Sequence, residues 1–267
     1  MRGGGAFHPS FIDRFHAPPM NERLRTIGIT ATALLAAVGP AACGSGQSTT
    51  GLPQNGEPAQ LDPSEFTTEI DNPYWPMSPG SRWVYEETED GGPPLRVVVT
   101  VTDRTKTVAN GVEAVVVHDV VSEGGEPIEV TDDWYAQDAA GNIWYLGEDT
   151  AELRNGKVTT RSGSFEAGVD GAEAGIAMPA DPEPGLAYRQ EYYAGEAEDK
   201  AVVLSVDEQV EVPAGHWEGA LMTKDLVPLE PKVSEHKFYA VGVGPVLTLK
   251  VSGGSGREEL VSYHPGS

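Results

Sequence analysis

The chain has 267 residues, of which 39% are hydrophobic, and a formal net charge of -23. This hydrophobic content is sufficient for a packed core and argues against a disordered chain. An acidic chain of this kind repels phosphate backbones and anionic lipid headgroups. Nucleic acid is therefore not expected as a partner, and any membrane contact is expected to go through an anchor.

An export signal is predicted near the N-terminus. Residues 20–25 carry net positive charge, residues 27–38 form an apolar run, and small residues follow up to Ala42. The apolar run is shorter than the roughly 20 residues that cross a bilayer, and it has the length of a signal-peptide core. We therefore predict a signal peptide over residues 20–42. Residues 1–19 are interpreted as an over-extended N-terminus, with a genuine extension as the alternative.

Cys43 is the only cysteine of the chain, so no intrachain disulfide can form. Ala41, Ala42 and Cys43 resemble the lipidation site of bacterial lipoproteins, although Pro40 stands where leucine is usual. The resemblance implies a lipid on Cys43 and a location at the outer face of the bacterial cytoplasmic membrane. Cleavage without lipidation, the alternative, would leave a secreted or periplasmic protein. The polar, Gly- and Pro-rich residues that follow predict a flexible tether over residues 43–65.

Residues 66–267 have the pattern of one β-rich domain. Short apolar or β-branched segments alternate with turn signals such as Asn110-Gly111 and Asn155-Gly156. Successive strands joined by short turns are antiparallel, and a large twisted sheet must curl or close to protect its edges. We predict an all-β (or β-rich α+β) fold with one curved antiparallel meander sheet or open barrel of about 10–12 strands. Residues 163–186, rich in Gly, Ala and Pro, are predicted to form a long loop.

Several motifs resemble those of a group of uncharacterised bacterial exported proteins and lipoproteins. They are Asn-Pro-Tyr-Trp-Pro at 72–76, Asp-Trp-Tyr-Ala-Gln-Asp at 133–138 with Gly-Asn-Ile-Trp-Tyr at 141–145, and Tyr-Ala-Val-Gly-Val-Gly-Pro-Val at 239–246. The resemblance covers about residues 72–263. It implies a curved antiparallel sheet like those of periplasmic lipoprotein carriers, and it implies no particular activity.

The candidate ligand-binding residues are Trp134, Tyr135, Trp144 and Tyr145, on two strands joined by a short turn. Adjacent residues of a strand point to opposite faces, so each strand is expected to place one aromatic ring on each face. One of these faces would lie inside the curled sheet, where aromatic rings can line a pocket. The alternative is that these residues only hold the sheet together as cross-strand pairs.

Signals for metal binding and catalysis are weak. The Asp138–Asn142 turn and its acidic neighbours carry oxygen ligands, but turn formation explains the same residue types. His118 beside Asp119, and Glu235 beside His236, are adjacent in sequence and so face opposite ways on a strand. No catalytic residue, metal site or cofactor is predicted.

The sequence thus favours a non-catalytic cell-envelope lipoprotein. Its curved sheet would bind a hydrophobic, glycan or protein ligand. One alternative is an envelope hydrolase that uses carboxylates and a histidine from different strands, and another is a cation-binding (Ca²⁺) surface domain. An enzyme requires histidine and carboxylates together in a cleft, whereas a hydrophobic carrier requires an uncharged apolar cavity.

Overall fold

The computed structural model describes residues 51–267. The predicted signal peptide and Cys43 lie outside the described residues. The described part contains one short 3-10 helix, Pro63–Glu65, and no helix long and apolar enough to cross a membrane.

The rest of the ordered secondary structure consists of sixteen strands. They are β1 (Phe66–Thr67), β2 (Arg82–Glu89), β3 (Leu95–Thr107), β4 (Glu113–Glu123), β5 (Glu126–Asp138), β6 (Ile143–Arg154), β7 (Lys157–Thr160), β8 (Phe165–Glu166), β9 (Glu173–Met178), β10 (Ala187–Arg189), β11 (Glu191–Tyr192), β12 (Lys200–Val212), β13 (Gly215–Leu226), β14 (Ser234–Ala240), β15 (Gly244–Ser252) and β16 (Gly256–His264).

All sixteen strands belong to one sheet, which is antiparallel throughout and nearly closed into a barrel. Its order is β10-β12-β13-β14-β15-β16-β2-β3-β4-β5-β6-β9-β11, with β1, β7 and β8 added at the side. Two meanders of five strands, β2–β6 and β12–β16, are joined by the pairing of β16 with β2. The predicted all-β fold is confirmed. The strand count exceeds the predicted 10–12 because five strands contain only two to four residues.

Strand β3 shows why the chain forms this sheet. Leu95, Val97, Val99 and Val101 are buried, and the residues between them are exposed or half-buried. This alternation with a period of two places one row of branched side chains on the concave side of the sheet. The rows of β2 and β4 continue it in register, with Tyr85, Val97 and Val121 aligned across the three strands.

The sheet has apolar clusters on both faces. The larger one, which we call the inner core, fills the barrel and includes Trp75, Trp83, Tyr85, Tyr135 and Tyr239. The smaller one, the outer cluster, lies on the convex face. Its members are Val108, Val112, Ala114, Val116, Trp134, Ala136, Leu146, Ala167 and Ala174, and Leu61 and Phe66 pack against it.

Residues 51–67, which we call the N-terminal strap, lie against the barrel. Gln54 Nε2 donates to the carbonyl of Ala187 at 2.6 Å, the amide of Arg189 donates to the carbonyl of Pro53 at 2.7 Å, and β1 pairs with the end of β5. The sequence predicts a flexible tether over residues 43–65, whereas the described part of that segment is hydrogen-bonded to the domain. The difference arises because strand β10 offers backbone groups with which the strap can pair.

The segment 163–186 also differs from the predicted loop, because it contains β8 and β9. Strand β9 is rich in small residues, and Gly175 shows why. A Cβ atom on Gly175 would overlap the carbonyl oxygen of Gln190, so the close backbone approach at this point requires glycine. The Gly- and Ala-rich composition that suggested a loop thus reflects tight packing of strands.

Candidate functional site

The four aromatic residues of the β5–β6 hairpin are divided between the two faces of the sheet. Tyr135 and Tyr145 belong to the inner core, where their rings stack with centroids 5.1 Å apart. Trp134 belongs to the outer cluster. Trp144 meets Phe66 edge-on at 6.1 Å, and its indole nitrogen donates to Asp138 Oδ2 at 2.8 Å. The hairpin therefore contributes to two separate environments.

Inside the barrel, the two tyrosines lie among carboxylates. The Tyr145 hydroxyl is 2.9 Å from Asp133 Oδ1 and 3.0 Å from Glu148 Oε2, and Asp133 and Glu148 are directly opposite each other across β5 and β6. Burial, followed by the charges of Asp133 and Glu148, raises the pKa of both Tyr135 and Tyr145 well above the ordinary value. Both phenols are therefore neutral at physiological pH.

Buried acidic residues continue around the concave face. All of them have interaction partners; those on the long strands are Glu87, Asp119, Glu129, Asp133, Glu148, Asp225, Glu235 and Glu258. Lys237 Nζ lies 3.0 Å from Asp225 Oδ2. Burial alone would lower the pKa of Lys237, but the charges of Asp225 and Glu235 raise it above its ordinary value. The interior is thus a charged, hydrogen-bonded environment.

One cavity lies among the buried charged groups of the interior, and it is small. The cavity between Trp75, Gln190, Lys237 and Glu258 has a volume of about 10 Å³, which is roughly the room for one water molecule. Its lining includes an ammonium and a carboxylate group. A hydrophobic ligand needs a much larger apolar cavity, so this cavity does not suit a ligand of that class.

The convex face has a larger opening, which we call the outer groove. It is about 410 Å³ in volume and crosses four neighbouring strands, β3 to β6. Its lining residues are Arg104, Thr105, Lys106, Val116, Asp132, Trp134 and Asp149. The groove is wide open to solvent, so a ligand bound there would be enclosed on one side only.

Asp132 organises the charges of the outer groove. Its oxygens accept hydrogen bonds from Arg104 Nη1 at 2.9 Å and Nη2 at 2.8 Å, and Oδ1 is 2.7 Å from His118 Nδ1. Burial raises the pKa of Asp132, but the hydrogen bonds and charges of His118 and Arg104 outweigh burial and lower it to about 2. The bidentate contact fixes the plane of the guanidinium group.

Trp134 forms the apolar part of the groove and is covered by a cation. Lys106 Nζ lies 4.4 Å from the centre of the indole ring and also pairs with Glu166 Oε2 at 3.0 Å. On the same face Arg161 pairs with Asp149. The indole is 8% exposed, so the Lys106 ammonium and the neighbouring strands cover most of it.

The Asp138–Asn142 turn uses its oxygens internally. Asp138 Oδ1 accepts from the amides of Ala140 and Asn142, and Oδ2 accepts from the side chains of Asn142 and Trp144. Among residues 51–267, no group of three His, Cys, Asp or Glu side chains is placed to hold a metal ion. Turn formation therefore accounts for these residues.

The pairing of His118 with Asp132 was not visible in the sequence. The sequence places His118 next to Asp119, but Asp119 is buried on the concave side and His118 faces outward. His118 and Asp132 are directly opposite each other across β4 and β5. The register of that hairpin, set by the Gly124-Gly125 turn, is the signal that would have identified the pair.

Comparisons with known proteins identify similar solved structures. No protein-family model matches the chain, and no curated protein matches it. A Bacteroides fragilis NCTC 9343 protein, classed as exported and with a YmcC-like fold, is similar with a TM-score of 0.44 and 14% identity, over 72% of this chain and 98% of that one. A Parabacteroides distasonis ATCC 8503 protein, classed as a lipoprotein, has a TM-score of 0.40 and 12% identity, over 72% and 98%. The terms exported protein and lipoprotein describe those two proteins, and they are not findings about this chain.

Proposed function

We propose that this protein is a non-catalytic lipoprotein of the bacterial cell envelope that binds a glycan in its outer groove. The outer groove itself is the observation that supports this most directly. It combines an indole ring, a guanidinium group held in a fixed plane, and carboxylate oxygens within one opening of about 410 Å³. An apolar ring with fixed polar groups around it matches a sugar, which has apolar C–H faces and hydroxyl groups at its edge.

The concave face supports the same choice among the ligands considered. A hydrophobic ligand would have to enter an interior that contains the ion pair of Lys237 with Asp225 and a cavity of about 10 Å³. Charged groups lose more by contact with an acyl chain than they gain. A glycan on the convex face leaves this interior unchanged.

Glycan binding is tested with the full-length protein against a panel of bacterial envelope polysaccharides and oligosaccharides. We expect Trp134→Ala to weaken the binding of any glycan that the natural protein recognises, by roughly tenfold or more, because a buried aromatic anchor is lost. Trp217→Ala removes a half-buried indole from β13, far along the sheet order from the groove, and serves as the control for loss of an indole elsewhere on the sheet. Isothermal titration calorimetry measures both.

Arg104→Gln provides an independent measurement, because this side chain is 52% exposed and its removal leaves the outer cluster intact. We expect it to weaken glycan binding without changing the folded structure. If the natural protein binds no glycan in the panel, or if both groove variants bind as well as the control, the glycan proposal is wrong.

The lipid anchor is a separate part of the proposal and rests on the residues around Cys43. Metabolic labelling with an alkyne fatty acid should mark the natural protein and place it in the membrane fraction, since two or more acyl chains hold a protein firmly. Cys43→Ala should lose both the label and the membrane association. An unlabelled natural protein recovered from the medium would instead indicate cleavage without lipidation.

A hydrolase remains the second candidate because of one observation beside the groove. His118, on β4, and Asp132, on β5, are a histidine and a carboxylate from different strands, 2.7 Å apart, in the arrangement that orients a general base. If the protein is a hydrolase, it should release reducing ends from a bound glycan, and His118→Asn should abolish release while binding persists. The leading proposal expects no release by either protein.

A further inference from the structure

The two ends of the sheet meet at a seam that the N-terminal strap covers. Strands β10 and β11 stand at opposite ends of the strand order, yet they are separated by one residue, Gln190. The strap contacts both sides of this seam. Gln54 donates to Ala187 on β10, and the amide of Ala59 donates to Glu173 Oε2 on β9 at 3.0 Å.

Arg189 fixes the strap at the seam. Its side chain is fully buried and donates from Nη1 to the carbonyls of Asn55 and Glu57, the latter at 2.8 Å, and from Nη2 to the carbonyl of Ala174 at 2.6 Å. One guanidinium group thus joins the strap to both ends of the sheet. Because all three acceptors are backbone carbonyls, the contact depends on the path of the strap and little on its side chains.

Other contacts add to this attachment. Lys200 Nζ, on β12, donates to Asn55 Oδ1 at 2.8 Å, and the Tyr192 ring packs directly on Gly56, where a Cβ atom would overlap it. Leu52 packs against the inner core. The attachment therefore begins at the first residues of the strap. Contacts with the barrel recur along the chain from Leu52 to β1.

The distance from the anchor to the barrel is consequently short. Eight chain steps separate Cys43 from Gly51, and a fully extended chain covers at most about 3.6 Å per residue, so Gly51 is within about 29 Å of a lipid on Cys43. A free tether up to residue 65 would allow about 80 Å by the same rule. Resting on the anchor proposed above, we propose that the seam side of the barrel faces the membrane surface.

The test compares two labelled positions on the lipidated full-length protein in phosphatidylcholine vesicles. Glu183→Cys lies just before β10, on the seam side, and Glu86→Cys lies on β2, in the middle of the strand order and so opposite the seam. Both replace an exposed glutamate, and lipidation uses the Cys43 thiol. A fluorophore on each introduced cysteine transfers energy to acceptors on the lipid headgroups, and we expect higher transfer efficiency from position 183.

Loosening of the strap should reduce this difference. Arg189→Met deletes the side-chain donors at nearly constant volume but leaves the contacts of Gln54, Lys200 and Leu52, so we expect the difference in transfer efficiency between the two labels to shrink in that background. Arg154→Met, at an exposed end of β6, is the control and should keep the difference. If Arg189→Met does not fold, the comparison in the natural background still decides the proposal.

The outcomes separate the orientation from the anchor. Equal transfer from both positions on protein that binds vesicles through Cys43 overturns the orientation and leaves the anchor intact. Absence of vesicle binding and of acylation overturns the anchor, and the orientation fails with it. Higher transfer from position 86 would show that the opposite side faces the membrane.

Discussion

Asp132 is a residue of the outer groove whose ionisation depends on its neighbours His118 and Arg104. Its pKa of about 2 lies below the usual value near 3.9 for an unfolded chain, so the folded state favours the ionised form. The contribution of ionised Asp132 to the free energy of unfolding is therefore fully present above about pH 4, and it is lost as the pH falls toward 2. Because Asp132 is partly exposed, solvent screening reduces it to about 1 kcal/mol.

We expect Asp132→Asn to lower the free energy of unfolding by about 1 kcal/mol at pH 7, with a difference from the natural protein that shrinks between about pH 4 and pH 2. Urea unfolding at a series of pH values measures this. Asp170→Asn, at an exposed turn with positive φ that asparagine accepts, removes the same charge without these partners. A difference that stays constant down to pH 2 would show that Asp132 is not stabilised by its ion pairs.

At the residue scale, the sequence predicted that neighbouring aromatic residues occupy opposite faces of the sheet, but neither which face is the inner one nor the function of either face. Successive side chains of a strand point to opposite faces, so Trp134 and Tyr135 are expected on different faces whatever the fold is. The covering of Trp134 by Lys106 depends on a register shift between Val101 and Thr105, which no local pattern indicates. The motif residue Asn72 has a structural role, since its side chain donates to the carbonyls of Gly141 and Pro179.

Strand β9 was not predicted from the sequence, and its backbone at Gly175 lies very close to that of Gln190. Gly175→Ala should destabilise the protein by about 3 kcal/mol, because the added methyl group overlaps backbone and the strands must separate. Gly156→Ala, at a turn with φ of 68° and nothing near the added atom, is the control and should cost about 1 kcal/mol from backbone strain alone. Thermal and urea unfolding of both variants measure the effect. Equal destabilisation would mean that the β9 backbone moves aside easily.

The elements that were predicted correctly are long strands rich in β-branched residues, such as β3 and β4, which lie on either side of the Asn110-Gly111 turn signal. Strands such as β8 and β11 contain only two residues, too few to show a period, and they exist because neighbouring strands offer free backbone groups. The strap is also held by backbone groups of the barrel and not by a pattern in its own sequence. Its polar composition suggested a tether, but backbone carbonyls bind Arg189 whatever their side chains are.

At the scale of the whole molecule, the pairing of β16 with β2 joins the two meanders into one sheet and could be predicted only in general terms. A large twisted sheet is expected to curl, yet which strands meet depends on contacts distant in sequence. The Trp83 indole donates to the carbonyl of Val243 at 2.8 Å, and the Tyr85 hydroxyl donates to the carbonyl of Pro245 at 3.0 Å. Both bonds join residues 160 positions apart.

The net charge of -23 leads to a prediction for the molecule as a whole. Self-repulsion in a highly charged protein destabilises the compact state, and salt screens it with a Debye length that falls from about 30 Å at 0.01 M to about 8 Å at 0.15 M. Salt also weakens favourable surface pairs such as Arg104 with Asp132, but exposed pairs contribute little. The melting temperature should therefore rise between these salt concentrations, by about 2–4 °C for each 1 kcal/mol of relieved repulsion.

Sodium chloride and choline chloride should act equally, because screening does not depend on the cation. A fall in melting temperature would mean that attraction between opposite charges outweighs repulsion in this protein, and a rise with sodium alone would indicate binding of that ion.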